Sequence, residues 1–124
     1  MTSPPDHTAH TGTLASALSN LVVRITTEYT GRGPTRARTH MSENLISVVL
    51  EDTLSKGERS LVRDGYAERV RSMREAFQRT MGPDLVAGVE ELTGRRVIAF
   101  MSSNHIDPDM AIEAFILESP NGAI

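Results

Sequence analysis

Apolar positions become regular at Leu14. Leu14, Ala17, Leu18, Leu21, Val22, Ile25 and Tyr29 recur every three or four residues, so they line one stripe of an α-helix. Gly12 or Thr13 marks its start. Gly31-Arg32-Gly33-Pro34 ends it, because glycine accepts a left-handed exit and Pro34 disfavours helical backbone at Gly33. The period then drops to two. Thr35, Ala37, Thr39 and Met41 alternate with Arg36, Arg38 and His40, which predicts a strand with one small, semi-apolar face and one basic face. Ser42-Glu43-Asn44 supplies a turn, and the β-prone run 45–50 pairs back as a hairpin.

Ser55-Lys56-Gly57-Glu58 has the spacing of a capping box and predicts a short helix through Leu61 and Val62, ending near Asp64-Gly65. A longer helical pattern follows in Tyr66, Val70, Met73, Phe77, Met81, Leu85, Val89 and Leu92. Gly82-Pro83 interrupts it and predicts a kink, or a break with Pro83 in the first turn of a new helix. Gly94 caps the end. Residues 97–101 and 110–117 read as the third and fourth strands, joined by turn chemistry over 102–109. No internal repeat stands out. The order α-β-β-α-α-β-β predicts an α+β fold: a four-stranded antiparallel sheet with its helices packed on one face. Residues 1–13 lack periodic apolar positions and read as a disordered tail, 14–119 as one domain, and 120–124 as a frayed end.

Composition narrows the functional classes. The 124 residues fit one domain, and 39% hydrophobic with 23% charged content is globular. Cysteine is absent, which excludes disulfides, thiolate nucleophiles and Cys-ligated metal. A net charge of −3 provides no overall field for nucleic acid or an anionic membrane. The first residues lack a basic and an apolar signal region, and no apolar run approaches the roughly 20 residues that span a bilayer. The reading is a cytoplasmic protein without a transmembrane segment. Tryptophan is absent and aromatics are 4%, so the core is aliphatic and stacking platforms for single-stranded nucleic acid are scarce.

Charge is uneven: from Arg24 to His40 four arginines stand against one glutamate. Two readings of this stretch stay open. Gly31, Gly33 and Pro34 form either a plain helix cap or a loop whose amides, with Arg32, Arg36 and Arg38, hold a small anion. The basic face of Arg36, Arg38 and His40, with Arg24 and Arg32 nearby, is either a strand edge protected by charge or a contact for an acidic partner. Nucleic acid phosphates rank behind a protein partner, given the overall charge and the few aromatics. His105, Asp107 and Asp109 share a turn but match no metal-ligand pattern. No Gly-x-Ser-x-Gly elbow or His–acid pair points to catalysis, and no motif calls for a cofactor.

The linear pattern resembles the MpsC-type family over residues 14–118. It is carried by the Gly31-Arg32-Gly33-Pro34 turn between helix and basic strand, then Leu54-Ser55-x-x-Glu58 with Leu61 and Gly65. Arg74 and Phe77 in the next helix and the Glu91-Leu92-Thr93-Gly94 ending complete it. The family usually has a lysine between the two glycines, a charge that Arg32 keeps, and Pro83 departs from its smoother helix. The resemblance implies a small cytoplasmic accessory protein of a membrane ion or inorganic-carbon uptake system. It carries no established active-site residues. Its partner is expected to be a membrane transporter subunit or another protein. A homodimer is also expected, because a sheet with one helical layer leaves a face to be covered.

Overall fold

The computed structural model describes residues 7–119; the expected tail up to residue 6 and the expected frayed end at 120–124 lie outside the described residues. Its elements are α1 (His7–Thr30), β1 (Arg36–Ser42), β2 (Leu45–Glu51), α2 (Lys56–Arg63), α3 (Ala67–Thr93), β3 (Val97–His105) and β4 (Met110–Leu117). The order is the one expected, and the strands form one antiparallel sheet in the order β1-β2-β4-β3. Both long helices lie on the same side of it.

The core is where the helical and strand periodicities meet. Leu18, Leu21, Val22 and Ile25 of α1 and Met81, Leu85 and Val89 of α3 close over Ile46, Val48, Leu50 and Phe115. Each large side chain so buried contributes roughly 1.5–3 kcal/mol. Gly88 sets the approach of the two helices, since a Cβ there would stand 2.6 Å from Leu21 Cδ1.

Three expectations change. α1 starts at His7, ahead of the apolar stripe, because its backbone hydrogen bonds run on through polar residues. β3 runs to His105 rather than ending at 101: Ser102 to His105 keep register with residues 110–113 of β4. α3 is one helix with Pro83 inside it. Proline removes one amide donor, but Pro83 is exposed, and buried residues before and after it (Met81, Leu85) hold both halves against the sheet.

The chain is also a repeat. Each half is a long helix followed by a hairpin, and the halves meet at β2 and β4, where Val48 stands opposite Glu113. Asp52 N–H bonds to the Asp109 carbonyl at one end of this seam, and Leu117 N–H to the Asn44 carbonyl at the other. These contacts describe a pseudo-two-fold axis through the sheet between Val48 and Glu113. The helix exits match as well. Thr30-Gly31-Arg32 and Thr93-Gly94-Arg95 both place glycine at positive φ, 79° and 68°. The Thr30 hydroxyl donates to the Thr26 carbonyl (2.7 Å) and the Thr93 hydroxyl to the Val89 carbonyl (2.8 Å).

Candidate functional site

The turn that stood out in the sequence is built as a joint. Gly31 N–H donates to the Thr27 carbonyl at 2.9 Å, the usual bond of a left-handed helix exit. A Cβ on Gly33 would run into the Thr27 hydroxyl, so that glycine lets the chain turn back tightly over the helix. Arg32 points inward: Nε donates to the Leu54 carbonyl (3.0 Å) and a terminal nitrogen to the Asp52 carbonyl (3.2 Å). It also pairs with the Asp52 carboxylate at 2.7 Å, which Arg59 shares. The second half repeats the device, with Arg95 donating to the Glu118 carbonyl just past β4 (3.1 Å). An arginine that ties each helix exit to the end of the next hairpin is a structural joint. Its charge is already met by a carboxylate here, which leaves little for a free anion.

The remaining basic residues do not form one patch. Arg24 is exposed on α1, 3.5 Å from Glu28, and borders the groove between α1 and α3 on the helical side of the molecule. Arg36, Arg38 and His40 lie on the opposite side, on the exposed face of edge strand β1. Arg36 pairs with Glu51 at 3.3 Å. Among the described residues, neither Arg38 nor His40 has a side-chain partner.

Those two side chains border a surface that no helix among the described residues covers. Register carries the row from Arg38 through Val49 and Ile112 to Ser103, and the next from His40 through Ser47 and Ala114 to Met101. Leu45 is 39% exposed, Ile112 38% and Met101 54%. This helix-free face is thus apolar along its middle and basic along the β1 margin. The sequence showed the basic strand and the apolar strands, but only the strand order places β1 at the margin of a sheet whose middle is β2 and β4.

A buried charged pair holds α2 against α3. The Ser55 hydroxyl caps α2 and Glu58 completes the capping box. The same Glu58 carboxylate receives Arg74 of α3, whose Nε is 2.9 Å from Oε2, and Arg74 also donates to the Thr53 carbonyl at 2.6 Å. Burial alone would raise the Glu58 pKa; hydrogen bonds from Arg74 and the Ser55 amide, with the Arg74 charge, outweigh it and hold it below the usual carboxylate value. The turn residues of the last hairpin are similarly engaged. Asp109 accepts from the Thr53 hydroxyl (2.7 Å) and the Leu54 amide (2.8 Å), and His105 Nδ1 lies 2.8 Å from the Pro108 carbonyl.

The polar group that sequence reading passed over is Glu113. It is 1% exposed, on the helix-facing side of β4. Gln78 Nε2 donates to its Oε1 at 3.3 Å, while Oε2 makes no hydrogen bond of standard geometry among the described residues. Ser102 stands opposite it on β3; its hydroxyl makes no hydrogen bond of standard geometry among the described residues, yet it lies near enough to favour the ionised carboxyl. Burial lifts the carboxyl pKa to about 7, with Ser102 and Gln78 offsetting only part of that rise. Alternation held the signal, since Glu113 has the parity of buried Ala111, Phe115 and Leu117.

No helix among the described residues is long and apolar enough to cross a membrane. No curated protein and no solved structure matches this chain. One family model does, described as Na+-translocating membrane potential-generating system (MpsC), and it matches residues 10–119. With nearly all of its described length matched, from the first helix to the closing strand, the chain belongs to the MpsC family.

Proposed function

We propose that this chain is a cytoplasmic accessory or regulatory protein of a membrane ion system, and that it works by binding a protein partner through the helix-free face of its sheet. The family description supports the setting. The observation that carries the binding reading is the juxtaposition of unpaired Arg38 and His40 with exposed Leu45, Ile112 and Met101. Apolar area supplies the drive for association, and the basic margin selects an acidic segment and orients it. A soluble segment of a transporter subunit that carries acidic and apolar side chains fits this chemistry. Free small anions fit less well, because Arg32 is held by Asp52. Nucleic acid is also less well matched, because Arg24 lies on the other side of the molecule from Arg36 and Arg38.

Without its partner, the same face pairs two copies as a homodimer. Ile112→Glu places a charge in the middle of the apolar strip at a position that the fold leaves exposed. Sedimentation is expected to give a dimer for the wild type and a monomer for the variant, with melting temperatures within a few degrees. The variant is also expected to lose at least tenfold in association with membranes of the source cell. A variant that dimerises and associates as the wild type does removes this face from the account.

A further inference from the structure

We infer that the groove between α3 and β3 is a binding site for adenine, as nucleoside or nucleotide, received by the paired amides of Gln78 and Asn104. This site is separate from the sheet face and stands or falls independently of it. The groove holds about 980 Å³, at the upper end of small-molecule sites. Phe100, Pro83 and Val86 line an apolar portion. Gly82 lets the Phe100 ring lie against the helix, since a Cβ there would stand 3.3 Å from its Cε2. A flat ring has surfaces to meet on that side.

At the polar end, Gln78 Nε2 donates to Asn104 Oδ1 (3.0 Å) and Asn104 Nδ2 to Gln78 Oε1 (2.8 Å). Each amide thus shows the other a donor and an acceptor side by side. Adenine presents the same pattern at N6–H and N7, the edge that Asn and Gln read in bidentate fashion. Adenine can therefore take the place of Gln78 opposite Asn104 without leaving Asn104 short of a bond.

The displaced Gln78 has somewhere to go. Its Nε2 already touches Glu113 Oε1 at 3.3 Å, and among the described residues Oε2 of the same buried carboxyl makes no hydrogen bond of standard geometry. Glu113 is a positioning residue in this exchange: it accepts the N–H that adenine releases, and the Ser102 hydroxyl in the same groove is the donor left for Gln78 Oε1. That gives a reason for a carboxyl at the centre of the sheet, where the matching position of the other half is Val48. Arg71, whose charge is met by Glu68, and Arg79 line the same groove; Arg79 is the one left to meet a phosphate, with Glu75 limiting the gain.

Titration calorimetry of the full chain tests this with adenosine, AMP, inosine and N6,N6-dimethyladenosine. Adenosine is expected to bind at submillimolar concentration. Inosine, which has oxygen at C6, and the dimethyl compound, which has no N6–H, are expected to bind at least tenfold more weakly. Tighter binding of AMP than adenosine assigns the phosphate to Arg79; equal binding makes the nucleoside the ligand. Asn104→Asp and Glu113→Val are expected to lose tenfold or more, while Glu113→Gln, which keeps an acceptor for Gln78, stays within about threefold. Glu113→Val removes a buried polar group, so its folding is not at risk, and a melting curve confirms that. No binding of adenosine or AMP at 1 mM, equal binding of inosine, or unchanged binding in Glu113→Val overturns the assignment.

Discussion

Arg74→Ala is expected to lower stability by about 3–5 kcal/mol, a fall in melting temperature on the order of 10–20 °C. Arg74 and Glu58 are 5% and 8% exposed, so neither charge is well screened by water. Removing the arginine strands a carboxylate inside the joint between α2 and α3 and leaves the Thr53 carbonyl without its donor. Arg74→Met keeps most of the volume and is expected to lose nearly as much, which separates charge from packing. Adding Glu58→Gln to Arg74→Met recovers part of the loss, because a neutral amide can still accept from the Ser55 amide. The pH dependence has a definite sign. Glu58 has a lower pKa folded than unfolded, so the pair adds stability above the ordinary carboxylate pKa. That contribution disappears as pH falls through the lower, folded value, so the gap between wild type and Arg74→Met narrows in acid. A loss under 1 kcal/mol for Arg74→Met at neutral pH contradicts this account of the joint.

Glu113→Val is expected to act in the opposite direction, stabilising the protein by about 3 kcal/mol at pH 8, on the order of 10 °C. Burial raises this carboxyl from 4.5 to about 7 in the folded protein. Below pH 4 the folded and unfolded chains hold the proton alike and ionisation costs nothing. Between about 4.5 and 7 only the unfolded chain releases it, so stability falls as pH rises and then levels off. Valine, which stands at the matching position of the other half, removes that slope. The gain should therefore shrink to about 1 kcal/mol or less near pH 5. Denaturant melts of both proteins from pH 4 to 9 check it. A gain that does not change with pH would mean that Glu113 is already solvated or paired.

These two residues also mark how far the sequence is legible. Apolar spacing located both long helices and all four strands, and the Ser-x-x-Glu spacing located α2. Periodicity also holds Arg74, four residues on from buried Val70, and Gln78 after it. What it cannot say is that Arg74 meets Glu58, or that Gln78 meets Asn104 and Glu113, because those partners arrive only when α3 lies across the sheet. The repeat was written twice as Thr-Gly-Arg, yet the hairpins after it share no residue pattern, so only the backbone and its seam reveal the symmetry. Arg32 shows the reverse. Its glycine-rich setting looks like an anion loop, while the structure has Arg32 and Arg95 each tying a helix exit to the end of a hairpin. Pro83 misleads by local rule alone, since tertiary packing on both sides carries α3 through it. The basic strand was legible as a face, but its position at the sheet edge, beside the apolar strip, depends on a strand order that no local pattern encodes.

The claim that the helix-free face receives a protein partner is tested most directly by site-specific photo-crosslinking in the source cell. A photoreactive residue at Ile112 should give a crosslink to a membrane-associated protein, reduced at least fivefold by the added change Arg38→Glu. The same residue at Ala87, exposed on α3 on the opposite side, should give none. Crosslinks from Ala87 equal to those from Ile112, or products from Ile112 indifferent to Arg38→Glu, would contradict it.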